Sequence, residues 1–148
     1  MREIKSEAQF QQACVIWAKN SAPDKYKKRL FAVFNEGRNV TMKLGVGLTP
    51  GVCDLLYVAE DGLLYGFELK WPGTTHNVAH LKTQARWMLD VLPGRAWFID
   101  SLEMFKAALN GDKEAGISPK KVLDYLENGK LKSITWRDGF SVTKEVKK

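Results

Sequence analysis

The sequence predicts an α/β fold, a mixed sheet flanked by helices in the order αβββαβα, with a small helix-hairpin extension at the C-terminus. Three observations predict it. Apolar residues recur at helical spacing in "SEAQFQQACVIWAK", "NVAHLKTQARWMLDVL" and "SLEMFKAAL". Short β-branched and aromatic runs, "RLFAVF", "CDLLYVA", "LLYGFELK" and "RAWFI", lie between them. The 148 residues, 45% of them hydrophobic, suffice for one domain that buries most of its unfolded surface.

The first helix opens at Ser6 as N-cap, with Gln9 completing a capping box and Phe10, Ala13, Cys14 and Trp17 as its apolar stripe. Residues 20–28, with Pro23 and a basic cluster, read as a loop, and 29–34 as a short buried strand. The connection 35–51 is long and glycine-rich, as functional loops often are. A hairpin follows, its strands joined by "EDG" with Gly62 in the left-handed position. The helix over 77–92 carries Val78, Leu81, Ala85, Met88 and Leu92 on one stripe, and 95–99 reads as a buried strand. Ser101 caps the helix 101–109. In the tail, Ser118, Pro119 and Gly129 bound another helix, and "KLKSITW" with "FSVT" around "RDG" predicts a hairpin before a polar end. The expected organisation is a core over 1–109 with an extension over 110–148 packed on it.

The net charge is +6, unevenly spread. Residues 1–50 carry nine Lys/Arg against four acids, 51–100 four against six, and 101–148 ten against seven. An acidic centre between basic flanks suits a site that holds a cation while its surroundings attract a polyanion. No apolar run reaches membrane-spanning length and the start "MREIKSE" is charged, so a cytoplasmic protein without a membrane partner is expected. The two cysteines, Cys14 and Cys53, lie far apart in apolar settings and read as buried thiols.

The chemistry is concentrated in the hairpin. With "EDG" as a three-residue turn, Ala59 pairs with Leu63, and counting back places Asp54 across from Glu68. Leu63, Tyr65, Phe67 and Leu69 share the face expected to be the core, while Leu64, Gly66, Glu68 and Lys70 share the other. Cross-strand partners have Cβ atoms about 4.5 to 5.5 Å apart, and like charges there repel. Lys70 supplies part of the compensation. A hard divalent cation held by oxygen ligands, with the Leu69 carbonyl as a further donor, compensates more completely. A register shift of one residue would dissolve the pair.

The array "GVCD…FELK", with Gln84 on the following helix, resembles the PD-(D/E)XK nuclease superfamily, and within it the virus-type replication-repair nuclease (VRR-NUC) domains. The resemblance runs from Ser6 to about residue 99, through the "SE..Q" helix, "FNEGRN", "PG.CD", "ELK" and "TQ". Three positions depart from the family pattern: Cys53 and Phe34 stand where prolines are expected, and "WPGTTHNVAHLKT" lengthens the spacer before the glutamine helix.

The resemblance implies a restriction-endonuclease-like fold and a Mg²⁺- or Mn²⁺-dependent nuclease acting on DNA, flaps or junctions in particular, with a homodimer as the assembly that would grip a branched substrate. It implies that Asp54, Glu68 and the Leu69 carbonyl bind the metal, that Lys70 orients or helps to deprotonate the attacking water, and that Gln84 anchors the site. Glu7, on the same side of its helix as Phe10, Cys14 and Trp17, is a candidate outer metal ligand. Asn35, Arg38, Lys43, Lys28, Arg29 and His80, with Lys27, are candidate DNA contacts.

Each feature also has a plainer account. E-x-K on a strand is commonly an exposed ion pair, Glu7 favours the positive end of its own helix, and a charge cluster is commonly a solvated face. His76 and His80, four apart, match a zinc pair on a helix, which no intervening glutamate or cysteine pair supports. The rival functions are a catalytically silent nucleic-acid-binding module of the same fold and a structural metal protein built on the histidines.

Overall fold

The computed structural model describes residues 3–33 and 49–140, and the backbone of 145–147. Five α-helices and seven strands are present among them: α1 (Glu7–Ser21), α2 (Pro23–Tyr26), β1 (Leu30–Ala32), β2 (Leu55–Val58), β3 (Leu64–Leu69), β4 (Thr75–Asn77), α3 (Val78–Val91), β5 (Ala96–Ile99), α4 (Leu102–Leu109), α5 (Pro119–Glu127), β6 (Leu131–Thr135) and β7 (Glu145–Lys147). The main sheet has the order β1-β2-β3-β5. β1, β2 and β3 run antiparallel, and β5 lies parallel to β3. A parallel neighbour requires a crossover, and α3 provides it.

Local chemistry sets the element ends. The Ser6 hydroxyl accepts from the Gln9 N–H and caps α1. The Gln9 side chain reaches back one residue further than a capping box requires, to the Lys5 N–H. Asn77, Ser101 and Ser118 cap α3, α4 and α5 through their side-chain oxygens. Gly62 sits at φ +88° and closes the β2–β3 turn, with the Ala59 N–H donating to the Leu63 carbonyl. Leu55 pairs with Phe67 and Val58 with Leu64, which is the register the hairpin predicts.

The sheet is covered on both faces. Phe10, Cys14, Ala18, Leu55, Tyr57, Phe67, Leu69, Trp97, Ile99 and Phe105 form one core beneath α1 and α4. Cys53, Leu56, Leu81, Ala85, Met88, Phe98, Val122, Leu126, Ile134 and Trp136 form the other beneath α3 and α5. The face of β3 bearing Gly66, Glu68 and Lys70, expected to lie outside the core, is therefore buried as well.

Other expectations are corrected. The strand over 29–34 is seen as Leu30–Ala32; its Phe34 end lies outside the described residues, and only Leu30 is buried, because β1 is the sheet's edge. The loop over 20–28 instead extends α1 to Ser21 and contains α2, nucleated by Pro23 at its first turn. The "FSVT" half of the expected final hairpin lies, past Phe140, outside the described residues; β6 pairs with β7 in the polar end, and β4 adds a third strand to that sheet. Residues 118–140 supply much of the second core, so the tail is the lid over Glu68's side of the sheet.

Candidate active site

β3 is the central strand, and it delivers Glu68 and Lys70 into the interior; each is only 2% exposed. One step beyond the end of β2, side chains replace the backbone ladder. The Leu69 N–H donates to Asp54 Oδ2 at 2.9 Å, and the Asp54 N–H donates to Glu68 Oε1 at 3.2 Å. This reciprocal clasp fixes the two carboxylates across from each other, as the hairpin count places them. Lys70 Nζ lies 3.2 Å from Glu68 Oε2, and the Lys70 N–H is tied to the Ile99 carbonyl.

Gln84 arrives from α3, one face of which packs against the sheet. Its Nε2 donates to Glu68 Oε2 at 3.0 Å and lies 3.2 Å from His80 Nε2. Since the amide nitrogen is a donor only, His80 presents its lone pair there. The partial burial of the His80 ring, then the charges of Lys70 and His76, hold its pKa below the ordinary value, which favours that neutral form. Gln84 Oε1 is sealed from solvent without a hydrogen-bond partner, the one such side-chain atom among the described residues. Gln84 is thus a buried member of the site and not a surface residue.

Burial, foremost, and then the neighbouring Asp54 carboxylate push the Glu68 pKa well above its ordinary value; Lys70 opposes them. The same burial raises the Cys53 thiol, aided by Glu68 and Asp54, so this cysteine stays protonated and inert. The site opens on a cleft of about 700 Å³ lined by Glu7, Gln12, Val15, Ile16, Ala32 and Asp54. Asp54 is half-buried and is the one residue of the clasp that lines the cleft.

Glu7 faces the same cleft but is engaged elsewhere. Its Oε2 accepts from the Trp71 N–H at 3.2 Å and lies 3.1 Å from Thr74 Oγ1 and 3.0 Å from His76 Nε2. The Thr74 hydroxyl makes its shortest contact with the Trp71 carbonyl, at 2.6 Å, so its hydrogen goes there and His76 Nε2 carries the hydrogen shared with Glu7. Burial alone would raise Glu7, but His76, Lys70 and the Trp71 N–H together hold its pKa below the ordinary value. Among the described residues no three of His, Cys, Asp and Glu are grouped for a metal ion. The oxygen set is the Asp54–Glu68 pair, with the Leu69 carbonyl beside it and Glu7 further out.

The histidines are not a helical pair, because His76 lies on β4 and His80 on α3. Lys28 and Arg29 lie at the far end of β1 from Asp54: Val33 bonds to the Asp54 carbonyl, whereas the Arg29 guanidinium donates to the Val58 and Ala59 carbonyls. Asn35, Arg38 and Lys43 fall outside the described residues. Sequence reasoning missed Thr74 and the role of His76 in holding Glu7. Their signal was weak, since a three-residue strand with one inward side chain has almost no periodicity to read.

Comparison of the chain with protein-family models, with curated proteins and with solved structures finds no match. No helix among the described residues is long and apolar enough to cross a membrane.

Proposed function

We propose that the chain is a Mg²⁺- or Mn²⁺-dependent nuclease that hydrolyses DNA phosphodiester bonds, with a restriction-endonuclease-like core of the VRR-NUC type. The observation that carries the reading is the buried clasp of Asp54 and Glu68, with Lys70 against Glu68 and Asp54 on the wall of a cleft. Two facing carboxylates and a buried ion pair contribute little to stability, and an apolar trio would serve the fold as well or better. Their presence is explained by chemistry.

The donor set fits a hard cation of the Mg²⁺ kind, which takes one or two carboxylates and keeps several waters. Asp54 and Glu68 would hold it, with the Leu69 carbonyl completing the protein's share. Such an ion supplies Lewis acidity at the phosphoryl oxygen and acidifies a coordinated water. Glu68 must give up its proton to bind it, and Lys70 and Gln84, both donors to Glu68 Oε2, favour the ionised form that binding requires. Lys70 Nζ orients the attacking water and balances charge developing at phosphorus. A branched substrate and a homodimeric assembly belong to the same reading.

The test is cleavage of single-stranded, duplex, flap and four-way DNA with Mg²⁺ or Mn²⁺, comparing wild type with Asp54→Ala and Lys70→Ala. The reading expects loss of roughly a hundredfold or more in rate in either variant. Undiminished cleavage by the variants would remove the site assignment, and an inactive wild type that still binds DNA would favour the silent module.

A further inference from the structure

A second cavity, of about 360 Å³, lies at the hairpin-turn end of the sheet. It is within the range of small-ligand pockets, about 300 to 1,000 Å³. Five residue steps along the strand separate Ala59 on its wall from Asp54, about 16 Å at the usual rise. Its Tyr57, Phe67 and Trp97 belong to the core beneath α1 and α4, whereas the Glu68 side chain lies on the other side of the sheet, against Gln84 of α3. The cavity is therefore separate from the carboxylate site.

Its wall is aromatic; Asp61 and Asn110 are hydrogen-bonded and Lys25 lies over the Tyr26 ring, while the donors of its aromatic row are uncommitted. Tyr57, Tyr65 and Trp97 stand in a row across three strands, Tyr65 and Trp97 within 10° of parallel at 6.2 Å between centroids. Tyr57 is 5% exposed and Trp97 6%. Neither phenol hydroxyl nor the Trp97 indole N–H has a hydrogen-bond partner among the described residues. None of the three is among the sealed unpartnered atoms either, so each reaches open space at the cavity they line. Lys25 and Lys113 add two ammonium groups, and Glu60 and Asp61 two carboxylates, of which Asp61 already accepts from the Leu63 N–H.

We propose that this pocket binds a nucleobase with its adjoining phosphate. Parallel rings suit a flat ligand, whereas caging a compact cation needs rings at right angles and no lysines on the wall. Unpaired O–H and N–H donors suit ring nitrogens and carbonyls, the lysines suit a phosphate, and Glu60 suits an exocyclic amine. Adenine, guanine and cytosine carry that amine and thymine does not, so thymine nucleotides bind most weakly. The same chemistry is offered by a free mononucleotide and by one residue of a single strand.

Isothermal titration of the full chain with dAMP, dCMP, dTMP, deoxyadenosine, inorganic phosphate and a short oligodeoxynucleotide separates these cases. Saturable binding of dAMP is expected, weakened roughly tenfold by Tyr65→Leu and by the exposed pair Lys25→Ala/Lys113→Ala, with dTMP and deoxyadenosine weaker and phosphate alone silent. An oligonucleotide that binds more tightly than dAMP, and is equally sensitive to these variants, identifies a strand as the source; equal or weaker binding identifies the free nucleotide. Absence of saturable dAMP binding, or binding unchanged in both variants, overturns the proposal. Asp54→Asn leaves dAMP binding intact if the pocket is independent, so this inference and the nuclease reading fail separately; dAMP binding lost in Asp54→Asn alone would assign the nucleotide to the carboxylate site and overturn the pocket.

Discussion

Glu68 illustrates how one residue serves chemistry at the expense of the fold. Its pKa is raised, chiefly by burial and then by Asp54, so the folded protein retains a proton that the unfolded chain releases. The stability this contributes is present below the unfolded pKa and is lost as pH rises through the folded one. Above that point two facing charges oppose folding. Replacing Asp54 by Asn removes one of them and supplies an amide donor to Glu68, while the Asn oxygen still accepts from the Leu69 N–H. Metal-free Asp54→Asn should gain stability over wild type as pH rises, by about 1 kcal/mol once Glu68 is ionised, measured by urea denaturation over a pH series with chelator present. Equal or lower stability would show that the carboxylates do not repel in the folded state.

Much of this residue-level picture was legible, because period-2 alternation and a three-residue turn fix which side chains face each other. What the sequence hid was that both faces of β3 are covered. The cover comes from Val122, Leu126, Ile134 and Trp136, far along the chain and contributed by the tail. Covering distance in sequence leaves no local pattern to read.

At the scale of elements, the segment entering β2 matters most, because it aims Asp54. Gly51 has φ +89°, and a Cβ there would meet the Thr83 carbonyl oxygen on α3 at 2.8 Å. Both the left-handed backbone and the close approach require glycine. Gly51→Ala should cost about 1–3 kcal/mol, and in thermal unfolding it should lower Tm by several degrees. Because α3 also carries Gln84, the same change should weaken whatever Asp54 and Glu68 bind; an unaltered Tm would mean that this approach is not held in solution. Helix starts were readable from Ser6, Ser101 and Ser118. β4 and α2 were not, since three or four residues are too few to establish a period.

For the whole molecule, one buried acid ties the tail to the main sheet beside the Phe98–Ile117 backbone bridge and the shared core. Asp100, at the end of β5, accepts from Trp136 Nε1 at 3.0 Å and from the Gly139 N–H at 2.6 Å. Burial raises its pKa, and these donors partly offset the shift. Asp100→Ala strands the buried Trp136 N–H, while the exposed Gly139 N–H can turn to water, so at about 1–3 kcal/mol for a buried unpaired group it should destabilise by roughly that amount. Trp136 packs against Phe98 and Phe140 in the core over α3, so the loss should appear in a single cooperative transition. Two separated transitions, with only the later one unchanged from wild type, would show that the tail folds independently.

The central claim is that Asp54 and Glu68 together hold one divalent cation, and Mn²⁺ binding measured by isothermal titration or by paramagnetic broadening near Lys70 tests it most directly. Wild type should show a saturable site that strengthens as pH rises, because Glu68 must lose its proton, and that disappears in Asp54→Asn. Mn²⁺ binding that is absent from the wild type, or identical in the two proteins, would contradict it.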